Sequence, residues 1–499
     1  MNIFKLKYLL STLTISILIF LGRVSGLIRE LSLANVLGSS SKADIAIAIF
    51  TLPDLFTAFF LGGGFSLVII PLISQKGKNF YKNILYFFSK RALIFLTAIS
   101  ALAFIFRSYL FSILAPGIEI SEFNFFDKGF FLICLSIIFA GFSSLLSSFL
   151  GAKEIFFTSY VGTFIFNSLV IFSIFFLIDS DILMSISYGV FLGSFLRLLI
   201  QILNISFLNL KLEEESIFSL EKGFYLKFFS AVIFISTLAL LPIISRSYAS
   251  GFGEGMLSMF HYSLRIIELP ITFLILPLLI ASFPSVSSFF LKTSEKEKKI
   301  FILLVLRTGI IFSSILSIPL FLFSDELIRS VYFFANFDNF SFKSIGEIFK
   351  WGVLIIPALS IISILQYLIS SSLKTAFLIW PSLLILLFHV IFSYTLKEIF
   401  NFNGVLISYI FTYYFFAIIM CLNIIKIHNI SFFQLISKIY LGIIPIIFSL
   451  IFSFLISTLK LNLIYSFMSC FIIFIISFTI YLLSDKELKE QIDILKRLK

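Results

Sequence analysis

Apolar windows long enough to cross a bilayer, about 20 residues each, follow one another along almost the whole chain. They fall at 8–33, 42–74, 88–114, 128–151, 155–178, 182–209, 226–249, 256–291, 300–323, 347–373, 375–396, 403–425, 435–458 and 462–483. Short polar breaks separate them. The second and eighth exceed the thickness of a bilayer and carry Pro53 and Pro71, and Pro270, Pro277 and Pro284, which predicts kinked or broken helices there. The pattern predicts an all-α polytopic membrane protein of about 14 transmembrane helices. Composition agrees: 60% of the 499 residues are hydrophobic and 13% charged, with a mean hydropathy of +1.12, whereas soluble domains carry about 25% charged residues.

The polar breaks set orientation and organisation. With a cytoplasmic N-terminus, the inside segments and their flanks hold about 23 Lys and Arg against about 8 outside. The outer loops 115–127, 179–181 and 324–346 lean acidic. Both termini are therefore expected on the cytoplasmic side, with Lys5 and Lys7 opening a retained first helix rather than a cleaved leader. The most hydrophilic internal stretch, 211–225, reads as a cytoplasmic linker. It divides an N-terminal six-helix lobe (1–210) from a C-terminal six-helix lobe (226–432), followed by two extra helices (433–483) and a charged tail (484–499). A weak internal echo supports this: Leu52-Pro53 and Leu269-Pro270 each lead into a long apolar run with further prolines. No segment outside the spans is long enough for a soluble catalytic domain.

The net charge of +11 does not point to nucleic acid, because the Lys residues are scattered over short loops as topology requires. The three cysteines, Cys134, Cys421 and Cys470, lie in apolar spans and read as small buried hydrophobes. Arginine behaves differently from lysine. Arg23, Arg29, Arg197, Arg246, Arg265 and Arg307 lie in or at the edge of apolar spans, where a cation near the bilayer centre costs roughly 2.5–3.5 kcal/mol.

Candidate chemistry follows from these charges. In span one, Arg23 and Glu30 are seven apart and share a face of a straight helix, while Arg29 points elsewhere. Two arginines with one glutamate form either an intramembrane ion pair or an anion site, and the positive surplus favours an anion gripped by planar guanidinium groups. Gly22 and Gly26 permit close helix packing, or Gly26 is a flexure point that lets the two arginines converge. In span eight, His261, Arg265 and Glu268 share one face, and Arg265 and Glu268 are able to pair. Asp44 opens span two, where a carboxylate suits a helix N-terminus, and Asp54 lies deeper. Gly62, Gly63 and Gly64 interrupt the same span as a candidate hinge. Arg197, Arg246 and Arg307 lie near span ends, where snorkelling accounts for them. No His and Cys cluster has metal-ligand spacing, and His389 and His428 are isolated.

Taken in order, Arg23-Val24-Ser25-Gly26-Leu27-Ile28-Arg29-Glu30, Leu37-Gly38, Ala43-Asp44, Leu52-Pro53 and Gly63-Gly64-Phe65-Ser66 through Pro71 resemble the N-terminal signature of the MurJ/MviN family. Tyr262-Ser263-Leu264-Arg265-Ile266-Ile267-Glu268-Leu269-Pro270 resembles that family's eighth-helix motif. The family belongs to the multidrug/oligosaccharidyl-lipid/polysaccharide exporter superfamily. The resemblance implies two six-helix lobes in a V, with two last helices forming a groove for a lipid tail. It implies flipping of lipid II, the undecaprenyl-pyrophosphate-linked peptidoglycan precursor, from the inner to the outer leaflet of the bacterial cytoplasmic membrane. It further implies a transporter rather than an enzyme, acting as a monomer among membrane lipids and beside the cell-wall synthesis machinery. The family's cavity arginines carry over onto Arg23, Arg29 and Arg265, and its aspartate near the start of span two onto Asp44. Departures are specific. Glu30 stands where the family has Asp, Thr57 where a further cavity arginine is expected, and Gly62 where a gate carboxylate is expected. No Asp or Glu lies within 228–249 or 375–396, so a sodium site of the family's design is not expected, and no cofactor is called for.

The mechanism expected from this reading has Arg23, Arg29 and Arg265 binding the pyrophosphate, with Glu30 and Glu268 holding the arginines in the empty state and flexure at Gly26 and Gly62–Gly64. The membrane potential is the candidate driving force, since an inside-negative potential favours outward movement of negative charge by roughly 2.3 kcal/mol per charge per 100 mV. Competing classes are another exporter of the superfamily, which should lack this arginine pair, a membrane glycosyltransferase, which needs a large outer domain, and a scaffold, which has no use for buried arginines.

Overall fold

A computed structural model of the chain describes residues 2–61, 81–118, 126–152, 157–176, 181–207, 224–276, 292–372, 374–431, 439–459 and 462–485, with isolated positions between them. Among the described residues every regular element is helical. Sixteen α-helices follow in order: α1 (Asn2–Leu37), α2 (Ser41–Leu61), α3 (Tyr81–Ile105), α4 (Arg107–Leu114), α5 (Phe126–Ala152), α6 (Phe157–Phe176), α7 (Ile182–Phe207), α8 (Phe224–Ser250), α9 (Met256–Pro270), α10 (Glu295–Leu322), α11 (Ser324–Val331), α12 (Asn339–Gly352), α13 (Ile355–Ser371), α14 (Ile379–His428), α15 (Ile443–Ser457) and α16 (Leu463–Ser484). Nine helical stretches among the described residues are long and apolar enough to cross a membrane, or ten when the bent pair α12–α13 counts as one span. The all-helical polytopic architecture stands, and the tally of 14 spans stays an expectation.

Several breaks fall where the sequence places them. Pro270, which has no N–H to donate, is followed by a π-helical turn over Ile271–Ile275. Helix α14, preceded by a 3-10 turn over Thr375–Leu378, covers the rest of the expected 375–396 segment and all of 403–425, and breaks at Asn401, whose φ of 53° and ψ of −138° are not helical. Other breaks were not expected. The third span divides at Phe106 into α3 and α4. The tenth bends by 51° between α12 and α13. The stretch read as the outer loop 324–346 folds as α11 and the start of α12, the latter capped by the Asp338 carboxylate on the Ser341 N–H at 2.8 Å. The 211–225 linker lies almost wholly outside the described residues, as do Gly62–Gly64 and the tail beyond Asp485.

The described chain forms two compact units: Met1–Tyr262 with Phe334–Phe337 and Thr375–Val405, and Ser263–Phe333 with Asp338–Lys374 and Leu406–Lys499. In the first, α3, α5, α7 and α8 meet over a core of Ile84, Phe88, Leu145, Phe149, Leu198 and Ala231, and α1 packs along α6. His389 is buried and joined to Ser245 Oγ of α8 at 3.0 Å, so the histidine that looks isolated in sequence ties α14 to α8.

In the second unit, α10 packs against α13, α15 and α16. Its start is fixed by a capping box in which Ser294 and Glu297 satisfy each other's backbone N–H groups. Helix α15 is built inside out: Ser449 and Ser453 are buried while Ile444, Ile447, Leu450, Ile451, Phe454 and Leu455 are exposed. That is the pattern expected where lipid is the outer solvent and small residues let helices approach. Arg307 of α10, expected to snorkel, is instead buried and paired with Asp485 at 2.6 Å. Tyr481 donates to the same carboxylate oxygen at 3.1 Å.

Candidate functional site

Helix α1 is unbroken from Asn2 to Leu37, through Gly22 and Gly26. The flexure expected at Gly26 is thus not the conformation seen, and close packing does not require the glycine either: a Cβ there would stand 3.6 Å from the Asn167 amide nitrogen of α6, an ordinary contact. The two arginines of α1 differ. Arg23 is exposed, whereas Arg29 is only 6% exposed.

The buried guanidinium of Arg29 is met on several sides. Its Nη2 donates to Glu30 Oε1 at 2.7 Å and its Nη1 to Asn167 Oδ1 at 3.4 Å. Its Cζ stands 4.7 Å from the centre of the Phe50 ring of α2 and 5.8 Å from that of Phe166 of α6. Asn167 is itself anchored, donating to Ser25 Oγ at 2.9 Å. Sequence reasoning passed over Asn167, although a lone amide in the middle of an apolar span is a known kind of interhelical anchor.

Glu30 serves two partners. Its second oxygen, Oε2, accepts from His261 Nε2 of α9 at 3.0 Å, and His261 Nδ1 lies 2.7 Å from Arg246 Nη1 of α8. A guanidinium only donates. Nδ1 must therefore be the accepting nitrogen and Nε2 the one that carries hydrogen, which makes the imidazole neutral in this arrangement. The result is an ordered chain across three helices, Arg246 to His261 to Glu30, with Arg29 on the other carboxylate oxygen. Arg246 also donates from Nε to the Pro242 carbonyl at 3.2 Å. Arg246, expected to snorkel at a span end, is instead tied to the ring of His261, which is buried at 6% exposure. With the imidazole neutral, these four groups sum to one positive charge.

Asp44 is buried, and both of its oxygens are taken by backbone: Oδ2 by the Gly255 N–H at 3.0 Å and Oδ1 by the Ser258 N–H at 2.7 Å. It caps the start of α9, a helix far away in sequence. Glu254 returns the service, accepting from the Ser41 N–H at the start of α2 at 2.9 Å. That contact holds its carboxyl below the usual 4.5. The exchange depends on Gly255, whose φ of +77° brings its backbone within reach of the Ser39 carbonyl. Asp44 thus bears on the site by setting the position of the helix that carries His261.

Other sequence candidates are placed as follows. Arg265 and Glu268 belong to the second compact unit, are each about a third exposed, and pair loosely at 3.8 Å. Arg197, expected to snorkel, is buried on α7, and its Nε has no hydrogen-bond partner among the described residues. Thr57 is half-buried on α2. Gly62, Gly63 and Gly64 lie outside the described residues. Among the described residues no group of three or more His, Cys, Asp and Glu side chains is placed to hold a metal ion.

Comparison with known proteins gives one consistent result. A family model described as lipid II flippase MurJ matches residues 33–478. The probable lipid II flippase MurJ of Buchnera aphidicola subsp. Schizaphis graminum is 26% identical over 357 residues, covering 68% of this chain and 67% of that protein. Among solved structures, a lipid II flippase MurJ in an inward closed conformation matches with a TM-score of 0.74 at 20% identity, covering 94% of this chain and 98% of the other. An inward-facing multidrug resistance MATE family transporter of the MOP superfamily matches at 0.64 and 13% identity, over 84% and 98%.

Proposed function

The chain belongs to the lipid II flippase MurJ family, and from that membership we infer that it carries lipid II across the bacterial inner membrane for peptidoglycan synthesis. It is a transporter, not an enzyme. Its work is to move a pyrophosphate-sugar-peptide headgroup through about 30 Å of hydrocarbon while the polyprenyl tail stays in lipid. A polar cavity open to one leaflet at a time meets that need.

The observation that carries the residue-level reading is the buried Arg29, held by Glu30 and Asn167 within the helix bundle. A cation kept there at such cost, with its counter-ion shared with a histidine, is suited to exchanging an internal carboxylate for an incoming phosphate. In this reading Arg23, Arg29 and Arg265 bind the pyrophosphate through charge-assisted hydrogen bonds. Glu30 and Glu268 hold the arginines in the empty state, and Asp44 supports the site through α9. The two six-helix lobes rock about the cavity, 433–483 supplies the groove for the tail, and the membrane potential assists outward movement of the anionic headgroup. The chain works as a monomer with both termini cytoplasmic and hands its cargo to the cell-wall synthesis machinery.

The test is complementation of a strain depleted of its own flippase, with leaflet-resolved measurement of lipid II. Replacing Arg23, Arg29 and Arg265 by Ala abolishes rescue and leaves lipid II in the inner leaflet at unchanged protein level. A fully active triple variant refutes the assignment.

A further inference from the structure

We propose that His261 is a proton-binding site that sets how firmly Glu30 holds Arg29, and so makes headgroup affinity depend on protonation. This rests on the reading of Arg29 as a headgroup ligand. The chain Arg246–His261–Glu30–Arg29 is closed in the state described: each nitrogen and oxygen named has its partner at 2.7–3.0 Å. In that state the imidazole is neutral, because Arg246 occupies the nitrogen that a second proton would need.

Adding the proton changes three contacts at once. It arrives from water and forms an N–H bond at Nδ1, where Arg246 now donates, so that 2.7 Å contact must open. The imidazolium then meets Glu30 Oε2 as a full cation, and its hydrogen bond becomes charge-assisted. Glu30, now claimed by two cations, holds Arg29 less tightly. Arg246 keeps its anchor on the Pro242 carbonyl but loses its acceptor on the ring. Two guanidinium groups are thereby released toward an anion, and the local charge rises by one unit before a pyrophosphate diester, which carries two negative charges, arrives. Linkage makes this reciprocal: binding of the dianion raises the proton affinity of His261 by the same factor.

The groups facing His261 are Glu30 and, beyond it, Arg29 on α1, Arg246 on α8, the Tyr262 ring at 6.1 Å, and one turn away Asp44 of α2 at the start of α9, with Glu254 in the preceding turn. Of these, the imidazole is the side chain whose ordinary titration lies between pH 5 and 8.

The experiment measures binding of a water-soluble short-chain lipid II analogue to the purified full-length protein at pH 6 and pH 8. The ligand's own phosphate protonation is common to all variants and cancels when they are compared. Wild-type affinity is expected to gain about tenfold more on going from pH 8 to pH 6 than that of His261→Gln, which keeps one donor and one acceptor but cannot take up a proton. Glu30→Gln, which frees Arg29 at every pH, is expected to bind tightly at both. If His261→Gln follows the wild-type pH dependence, the proposal is overturned. Should His261→Gln not fold, Glu30→Gln decides, since a wild-type pH dependence in that variant overturns the proposal equally. Arg29→Ala tests the underlying reading separately: it should bind weakly at both pH values, and wild-type binding by Arg29→Ala would sink the headgroup site itself, whatever His261 does.

Discussion

Asp485 is the residue whose removal has the most calculable consequence. It stands at the C-terminal end of α16, where a carboxylate opposes the helix dipole, and it is 1% exposed. Two contacts offset that placement: the Arg307 guanidinium at 2.6 Å and the Tyr481 hydroxyl at 3.1 Å. Replacing Asp485 by Ala leaves Arg307 buried without its counter-ion. Such half-removal of a buried pair costs about 3–5 kcal/mol, which is about a hundredfold to several-thousandfold in the docking equilibrium of α16 on α10. The helix carries its own reporter, because Cys470 is buried with its Sγ directed at the Pro319 carbonyl of α10 at 3.7 Å. In a background where Cys134 and Cys421 are replaced by Ala, maleimide labelling of Cys470 reads the undocked population. Asp485→Ala should speed labelling by at least about a hundredfold. The double variant Arg307→Met with Asp485→Leu, which removes both charges, should label near the wild-type rate, since an apolar replacement of a buried pair is often neutral. Unchanged labelling in Asp485→Ala, or a double variant as fast as the single one, would show that the pair does not hold the helix.

Three other outcomes follow from the same geometry. Gly255→Ala should fail to accumulate as folded protein, because its φ of +77° and a would-be Cβ 2.0 Å from the Ser39 carbonyl leave no room, whereas Gly26→Ala, with its nearest contact at 3.6 Å, should fold with a melting temperature close to wild type. Asp44→Ala should lower stability by about 1–2 kcal/mol through the lost cap on α9, measurable as a shifted denaturation midpoint, and a midpoint unchanged within error would count against the capping role. Glu254 has a carboxyl held below its usual 4.5 by the Ser41 N–H. Its folded value is depressed, so its contribution is present above 4.5 and fades as pH falls through the lower folded value. Acid titration of thermal stability should therefore show a larger loss in wild type than in Glu254→Gln, and equal losses would count against the contact.

What could be read from sequence was set by local rules. The π-turn after Pro270 and the break at Asn401 between two apolar runs obey constraints that act within a few residues. Partners across helices were not legible in the same way. Arg307 and Asp485 are 178 positions apart, and a carboxylate at the edge of a charged tail gives no sign that it turns inward. Helical angles misled in span one: they set Arg29 apart from the face shared by Arg23 and Glu30, but its long stem wraps back to the adjacent Glu30. Arg246 and His261 are each visible in the sequence, yet only the fold brings them together with Glu30 as one chain of contacts. Asp44 suits a helix N-terminus, but the helix it caps is α9 rather than its own.

The turn at Asn401 has a practical side. Leu396 and Gly404 are eight residues apart, which in a straight helix is about 12 Å, yet a Cβ on Gly404 would lie 2.0 Å from the Leu396 carbonyl. The chain doubles back there with almost no slack. The tip from Glu398 to Asn401 is exposed, so a tag for topology mapping belongs there rather than at Leu396 or Gly404, where the backbone closes on itself.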